Sequence, residues 1–316
     1  MTERILVLHD DPGEVLPLLS ARCPGARIEA ATRGDDVAPA LARLQPTAVF
    51  SIKHSGFPGE QHAPAVRCSS VRWFHVGGSG YEHLGRWDDG RVTVTNSAGV
   101  LAPFLAETAM AALLSLAVGL PRYAAQQQER TWRPHRFRAV AGRTLLIVGV
   151  GRVGGELASR AKAMGMRVLG VRASGEPHPA VDAMHGPEAL RSLLPQADVV
   201  SLHVRATQAT QGLLGTDELA LMKPGALLLN SARGAVLDQR ALVTALELGH
   251  VGGAWLDVFA QEPLPTDDPL WARDDVLITP HCADQVDDFP ARFAERFCDL
   301  RDGLLRGEPL PGLSPG

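Results

Sequence analysis

Short apolar runs alternate with helix-like stretches along nearly the whole chain, and this alternation restricts the fold more than any other feature. The runs are residues 5–10, 26–30, 47–52, 72–76 and 92–96 in the first half, and 144–150, 167–171, 198–204, 226–230, 253–258 and 275–280 in the second. Strands that alternate with helices form parallel sheets covered by helices on both faces. The sequence therefore predicts an α/β protein with doubly wound parallel sheets.

The chain has 316 residues, which is longer than one hydrophobic core comfortably supports, so two domains are expected. An apolar stretch at 101–127, predicted as one long helix, separates the two series of strands. A helical stretch at about 287–306 has no following strand and is expected to pack back on the first domain. The predicted domains are residues 1–99 with 282–316, which is discontinuous, and residues 100–281.

Charge and composition exclude several classes of protein. A net charge of −4 and a pI near 6.3 argue against nucleic acid as the main partner, since phosphate backbones select basic surfaces. The most apolar stretch contains Pro103 and Glu107, so it is expected to be a buried helix and not a membrane span. The four cysteines form no CxxC pair, which predicts no metal site. With no signal peptide in view, they indicate reduced thiols in a cytoplasmic protein.

The clearest local motif is GVGRVG, in which Gly149, Gly151 and Gly154 enclose Arg152 and Val153. It follows an apolar run and opens a helical stretch, which is the context that a dinucleotide-binding turn requires. Glycines permit a tight turn and let backbone amides approach a pyrophosphate, whose charge the helix N-terminus favours. The motif predicts a dinucleotide cofactor.

The end of the next predicted strand bears on which dinucleotide is bound. An acidic residue there would accept hydrogen bonds from the adenosine ribose and repel a 2′-phosphate. This chain has Arg172 and then Ser174 at that place, and a guanidinium can pair bidentately with a phosphate. We expect NADP(H) to be preferred, with NAD(H) possible; the alternative is that Arg172 is an exposed strand-end arginine.

Four polar side chains follow strands of the second half: Arg233, Asp257, Glu262 and His281. Ligands bind outside the carboxyl ends of parallel strands, so these groups are expected to share one site. They suit hydride transfer to a 2-oxo acid. A guanidinium can hold the carboxylate and polarise the carbonyl, a histidine can supply the proton, and a carboxylate beside it would stabilise the imidazolium. Asp257 could orient the nicotinamide amide.

With these residues in place, the sequence resembles the D-isomer-specific 2-hydroxyacid dehydrogenase family over nearly its whole length. The resemblance rests on HVGGSGYEHL (75–84), LAETAMAALLSLA (105–117), GVGRVGGELA (149–158), LMKPGALLLNSARG (221–234), LDVFAQEPL (256–264) and LWARDDVLITPH (270–281). It implies a Rossmann-type dinucleotide-binding domain at 100–281 and a discontinuous, flavodoxin-like substrate domain at 1–99 and 282–316.

The resemblance also implies roles for particular residues. Arg233, Glu262 and His281 match the family's catalytic arginine, glutamate and histidine, and Asp257 matches its nicotinamide-contacting aspartate. Ala232, directly before the arginine, is included in the predicted cofactor site. Backbone amides around Ser79 and Gly80 would bind the substrate carboxylate, in a cleft between domains that closes on the substrate. A homodimer with the 101–127 helix at its interface is implied as well.

Two segments depart from the family pattern. Where the family often reads LHLPLT, this chain reads LHVRAT, so Arg205 replaces a proline beside the expected cofactor cleft. Arg205 either adds to the affinity for phosphate or faces solvent. After His281 the chain reads CADQVDD, and the acidic Asp284 and Asp287 alter the expected electrostatics and hence the substrate preference.

The sequence favours an NADP(H)-preferring reductase of small 2-oxo acids such as glyoxylate or hydroxypyruvate. One alternative is a dehydrogenase for a larger aromatic or branched D-2-hydroxy acid. Another, from a different class, is a non-catalytic dinucleotide-sensing binding protein. Formate oxidation within the family pairs the histidine with a glutamine, whereas this chain has Glu262. A methyltransferase with the same glycine turn would leave Arg233 and His281 unexplained.

Overall fold

The computed structural model describes residues 3–54 and 56–315. The chain divides into two compact units, of which the first comprises Met1–Leu101 and Val286–Gly316 and the second comprises Ala102–Gln285. Each unit is built on one sheet whose strands pair in parallel. The predicted fold class, α/β with two doubly wound parallel sheets, is confirmed.

The elements alternate between strand and helix along most of the chain. In the first half they are β1 (Arg4–Leu8), α1 (Val15–Arg22), β2 (Arg27–Ala31), α2 (Gly34–Leu44), β3 (Ala48–Ile52), α3 (Ala63–Arg67), β4 (Trp73–Gly77), β5 (Thr93–Asn96), α4 (Ala102–Val118) and α5 (Leu120–Glu129). In the second half they are β6 (Thr144–Val148), α6 (Arg152–Ala163), β7 (Arg167–Val171), β8 (Ala183–His185), α7 (Leu190–Leu193), β9 (Val199–Leu202), α8 (Thr216–Leu221), β10 (Ala226–Asn230), α9 (Gln239–Glu247), β11 (Val251–Leu256), β12 (Val276–Ile278) and α10 (Phe289–Leu305).

The first unit has a five-stranded sheet in the order β2-β1-β3-β4-β5, which is the strand order of flavodoxin-like folds. The C-terminal helix α10 packs on this sheet through Phe297, which is fully buried. Its ring stacks on Trp73 with ring centroids 4.3 Å apart and lies 5.5 Å from Phe50. Because these aromatic rings bury a large apolar area, the last helix of the chain is tied to the sheet formed by the first hundred residues.

The second unit has a seven-stranded sheet in the order β12-β11-β10-β9-β6-β7-β8. Successive residues of β6 point to opposite faces: Leu145 and Ile147 pack in the same core as α4 and α6, and Leu146 and Val148 pack in the core on the other face. Both faces are therefore covered, as the continuous apolar runs predicted. The chain changes direction between β6 and β9, and doubly wound sheets bind ligands at such a point.

Two local features differ from the sequence prediction. The predicted helix at 101–127 is two helices, α4 and α5, bent by 62° at Gly119. Gly119 has a φ of 79°, in the left-handed region that glycine adopts at little cost, and Pro121 lies in the first turn of the next helix. The edge strand β8 was not anticipated, because Ala183–His185 is only three residues long and half-buried.

The apolar composition of α4 and α5 raises the question of whether they could span a membrane. Taken together, the two helices are long and apolar enough for a membrane span, but they are bent by 62° relative to each other. Within the described part of the chain, no single helix is long and apolar enough to cross a membrane.

Candidate active site

Six strands of the second unit end side by side, and this row of strand ends positions the candidate site. The paired residues along it are Val171, Val148, Leu202, Asn230, Leu256 and Ile278, each hydrogen-bonded in register with the next strand. The glycine turn follows Val148, and the polar side chains predicted from the sequence follow the neighbouring strands within a few residues. Parallel pairing thus brings to one edge of the sheet groups as far apart in the sequence as Gly149 and His281, which are separated by 132 positions.

The glycine turn has the geometry that a pyrophosphate requires. Gly149 has a φ of 101°, and a Cβ on Gly154 would lie 2.4 Å from the Gly149 carbonyl oxygen, so α6 packs directly on the turn. A Cβ on Gly151 would meet nothing within 4 Å, so the backbone is open on that side. The N-terminus of α6 has no side-chain cap and no acidic residue in its first turn. Free amides and an open approach fit the phosphates of a dinucleotide.

The residues predicted to read the adenosine end lie after β7 and β9. Arg172 is half-buried, and its Nη2 lies 3.5 Å from Oε2 of the exposed Glu176. Ser174 is exposed, and its Oγ accepts a hydrogen bond from the Glu176 amide at 3.4 Å. Arg205 is also exposed, in the loop after β9. Glu176 is a loosely held carboxylate that an incoming phosphate would have to displace from Arg172.

Arg233 lies in a short loop after β10 whose backbone conformation is held from both sides. The buried Asn230 side chain accepts from the Ala232 amide at 3.1 Å and donates to the Arg233 carbonyl at 3.3 Å. Gly234 follows, and a Cβ there would lie 1.9 Å from the Phe259 carbonyl oxygen. Only glycine lets this loop pack so closely on the loop after β11. The guanidinium donates to the Ala232 carbonyl at 2.7 Å, and among the described residues it forms no ion pair within 4.0 Å.

Glu262 and His281 are brought into direct contact from loops after β11 and β12. Nδ1 of His281 lies 2.7 Å from Oε2 of Glu262, and the other carboxylate oxygen accepts from the Phe259 amide at 3.0 Å. The two side chains are 48% and 37% exposed, so the pair is accessible to a ligand. With Nδ1 committed to the carboxylate, Nε2 is the ring nitrogen that can exchange a proton with substrate.

Asp257, by contrast, is almost completely buried, with 2% of its surface exposed. Its Oδ1 accepts from the Thr279 hydroxyl at 2.6 Å and from the amides of Cys282 and Ala283 at 3.0 and 3.2 Å. These bonds hold the turn on which His281 has a φ of 51°, a conformation that costs a non-glycine residue about 1–2 kcal/mol. Only Oδ2, which has one long bond at 3.3 Å, retains capacity to accept from a nicotinamide amide, so that role stays a prediction.

Ser79 and Gly80 belong to the first unit and follow β4, where Ser79 is exposed. Asn96 donates to the Ser79 carbonyl at 2.8 Å. Neither the Ser79 amide nor the Gly80 amide donates a backbone hydrogen bond within residues 3–54 and 56–315. The loop begins beyond His75, whose ring nitrogens lie 2.7 and 2.8 Å from the hydroxyls of Thr95 and Ser97. Burial lowers the pKa of His75 to about 3. This histidine is a neutral structural group that ties β4 to β5.

Two residues of the site escaped the sequence analysis. Thr279 links Asp257 to Trp255, whose indole donates to the Thr279 hydroxyl at 3.0 Å. Gly234 sets the close packing of the Arg233 loop on the loop that carries Glu262. Gly234, in the sequence SARGA, could have indicated a close approach of two backbone segments, since glycine is the residue that permits such an approach. A threonine at a strand end carries no such signal.

Comparison with known proteins identifies the family. Residues 110–283 match the family model of the D-isomer specific 2-hydroxyacid dehydrogenase NAD binding domain. A glyoxylate reductase of Korarchaeum cryptofilum is 40% identical over 232 residues, which are 70% of this chain and 69% of the relative. A D-isomer specific 2-hydroxyacid dehydrogenase family protein from Aeromonas salmonicida superposes with a TM-score of 0.88 at 33% identity, covering 99% of this chain and 98% of that one.

A second solved structure bears on the cofactor. The D-isomer specific 2-hydroxyacid dehydrogenase from Xanthobacter autotrophicus, solved with NADPH and MES, superposes with a TM-score of 0.81 at 28% identity over 98% of both chains. The matched family model is itself an NAD binding domain. Together with the glycine turn, these likenesses establish a nicotinamide dinucleotide as the cofactor. The chain belongs to the D-isomer specific 2-hydroxyacid dehydrogenase family and is an oxidoreductase acting on 2-hydroxy or 2-oxo acids.

Proposed function

We propose that this protein reduces small 2-oxo acids such as glyoxylate or hydroxypyruvate, with NADPH preferred over NADH. The observation that carries the proposal is the His281–Glu262 pair at 2.7 Å, together with a guanidinium, Arg233, that follows a strand of the same sheet and has no ion-paired carboxylate among the described residues. This combination provides a proton donor and an anion-binding group at one row of strand ends. The glyoxylate reductase of Korarchaeum cryptofilum, at 40% identity, supports the choice of substrate class.

Each side chain has a distinct task in the proposed reaction. The nicotinamide, when bound, supplies the hydride that adds to C2 of the substrate. Arg233 binds the substrate carboxylate through two of its N–H groups and polarises the C2 carbonyl. His281 donates the proton from Nε2 to the carbonyl oxygen, so that the product is the 2-hydroxy acid. Glu262 stabilises the imidazolium before the transfer and fixes the ring orientation.

Binding tasks divide between the two units in this proposal. The unit Ala102–Gln285 binds the cofactor through Gly149, Gly151, Arg152, Val153 and Gly154, with Ala232 and Asp257 nearer the nicotinamide. The unit formed by Met1–Leu101 and Val286–Gly316 contains Ser79 and Gly80, whose backbone amides are the proposed ligands of a carboxylate. One arginine and a pair of amides suit a small anionic substrate.

The proposal is tested with a panel of 2-oxo acids, namely glyoxylate, hydroxypyruvate, pyruvate, one branched acid and one aromatic acid, each with NADPH and with NADH. Loss of absorbance at the reduced-nicotinamide band measures turnover. We expect the highest kcat/KM for glyoxylate or hydroxypyruvate with NADPH. A faster reaction with the aromatic or branched acid would favour the larger-substrate alternative. Cofactor binding without any turnover would favour a dinucleotide-sensing protein.

The preference for NADPH rests on Arg172, with Ser174 and Arg205 as further phosphate ligands. A guanidinium at the end of β7 can form charge-assisted hydrogen bonds to a 2′-phosphate in place of its 3.5 Å contact with Glu176. NADPH in the related Xanthobacter autotrophicus structure supports this reading.

Arg172→Asp is expected to weaken NADPH binding by about 100-fold, since charge-assisted hydrogen bonds are worth about 1.5–3 kcal/mol and a like charge replaces them. NADH, which lacks the 2′-phosphate, should bind at least as well as before. The measurement is the dissociation constant of each cofactor by fluorescence titration. Arg240→Asp, which makes the same charge change at an exposed position of α9, serves as the control. Equal affinity of the wild-type protein for the two cofactors would contradict the preference.

We also propose that the protein is a homodimer. The segment 131–140, which is neither helix nor strand, carries Trp132 and Phe137 with 96% and 61% of their surfaces exposed. Exposed aromatic side chains of this size mark association surfaces. Light scattering should report twice the chain mass of 33.7 kDa, and a monomeric mass at micromolar concentration would refute the proposal.

We further propose that the protein is located in the cytoplasm. All four cysteines are free, which is the state expected of thiols in that compartment. Cell fractionation tests this location.

A further inference from the structure

The loop after β7 carries a carboxylate, Glu176, close to the guanidinium that is the proposed ligand of the 2′-phosphate. The loop starts next to the glycine turn, because the Gly149 amide donates to the Val171 carbonyl at 2.9 Å. Arg172 is the next residue, and its carbonyl accepts from the Gly175 amide at 3.0 Å, which closes a β-turn. Glu176 follows directly. Both charged residues therefore belong to one tight loop beside the glycine turn.

The other end of this loop is fixed on helix α6. A Cβ on Gly155 would lie 2.7 Å from Nε2 of His178, so the imidazole packs directly against the backbone of the helix. Between the two ends, the Glu176 amide donates to the Ser174 hydroxyl at 3.4 Å. Residues 172–178 are thus anchored on the glycine turn and on the helix that follows it, which are the two elements of the dinucleotide-binding motif.

Glu176 is the acidic group that pairs with Arg172. Its Oε2 lies 3.5 Å from Nη2 of Arg172, and no other carboxylate lies within 4.0 Å of this guanidinium in residues 3–54 and 56–315. The Glu176 side chain is 70% exposed and that of Arg172 is 36% exposed, so the carboxylate can return to water at little cost. Carboxylate and phosphate oxygens are acceptors for the same guanidinium N–H groups. A phosphate bound to Arg172 therefore has to replace Glu176.

Resting on the proposed function, we propose that Glu176 is a specificity-determining residue that competes with the 2′-phosphate of NADPH for Arg172. NADH has no phosphate at this position, so it binds with the ion pair intact. NADPH binds only after the ion pair is broken, and the displaced carboxylate then remains on the same loop as a like charge. Glu176 thus lowers the affinity for NADPH, leaves that for NADH unchanged and narrows the difference between the two cofactors.

The test is Glu176→Gln, with the dissociation constants of NADPH and NADH measured by fluorescence titration. Glutamine keeps the size of the side chain and removes its charge, so Arg172 becomes free for the phosphate. We expect NADPH to bind about fivefold more tightly, the upper value for an exposed ion pair, and NADH to bind within about twofold of wild type. An unchanged ratio of the two dissociation constants, or an equal gain for both cofactors, would overturn the assignment.

The matched control is Glu247→Gln, which removes an exposed carboxylate from the last residue of α9 in the same unit. It should change the affinity for neither cofactor. NADH binding in each variant shows that the dinucleotide turn is still folded.

A second pair of variants tests whether Glu176 acts through Arg172. The pair is Arg172→Ala alone and Arg172→Ala combined with Glu176→Gln. If the two groups compete, replacing Glu176 should change NADPH affinity by less than about twofold once Arg172 is absent. The full gain without Arg172 would indicate general repulsion and would rule out competition. NADPH affinity that does not fall in Arg172→Ala would instead contradict the proposed NADPH preference itself, which is a different result.

Discussion

His281→Ala is expected to lower kcat for 2-oxo acid reduction by about a thousandfold, in the range that a positioned general acid contributes. Without the imidazole, the alkoxide formed by hydride addition has no nearby proton donor. The effect should fall on kcat, because His281 lies in the loop after β12, whereas the glycine turn proposed to bind the pyrophosphate follows β6. Steady-state kinetics with glyoxylate and hydroxypyruvate, together with NADPH titration, measure both quantities.

Two comparisons make this result specific to the proton donor. Glu262→Gln keeps a hydrogen-bond acceptor for Nδ1 but removes the charge that stabilises the imidazolium, so its loss should be smaller than that of His281→Ala. His185→Ala, on the edge strand β8, should behave as wild type. Turnover that survives in His281→Ala would refute the assignment, and loss of NADPH binding in the same variant would indicate a structural defect.

Arg233→Ala is expected to lower kcat/KM by about 10³–10⁴-fold, because it removes both the carboxylate-binding fork and the group that polarises the carbonyl. Arg233→Lys keeps the positive charge and loses the planar pair of donors, so its loss should be intermediate and expressed partly as a higher KM. The backbone of the loop should survive both changes, since Asn230 and the close packing of Gly234 hold it independently of the guanidinium.

The measurement is kcat/KM for each 2-oxo acid, with the dissociation constant of NADPH determined in parallel. Arg240→Ala, an exposed arginine on α9 of the same unit, should leave both unchanged. Wild-type efficiency in Arg233→Lys would show that a point charge suffices and would remove the bidentate role. A parallel loss of NADPH affinity in Arg233→Ala would assign the residue to the cofactor instead of the substrate.

Much of the fold follows from local patterns in the sequence. Runs such as 144–150 and 226–230 are apolar on both faces, and only a parallel sheet covered on both sides buries such strands. The glycine motif after β6 predicted its own turn, since the φ of 101° at Gly149 is a conformation that glycine adopts at little cost. The break at Gly119 was missed because a single glycine inside a long apolar stretch does not reveal whether the helix continues.

The candidate site was predictable in its location more than in its contacts. Residues after parallel strands share one edge of the sheet, so Arg233 and His281 could be expected to lie near each other. The sequence could not show that Asp257 turns inward to hold the His281 turn. This depends on how loops from different strands pack on one another.

By itself, the sequence determined which residues form strands, where the dinucleotide turn lies and which polar groups follow the strand ends, because these depend on side-chain periodicity and on glycine's conformational freedom. Only the tertiary structure decided which oxygen of Glu262 faces His281 and how Thr279 and Asp257 hold the turn. Side-chain directions in loops are set by contacts between segments far apart in the chain, and no local pattern records them.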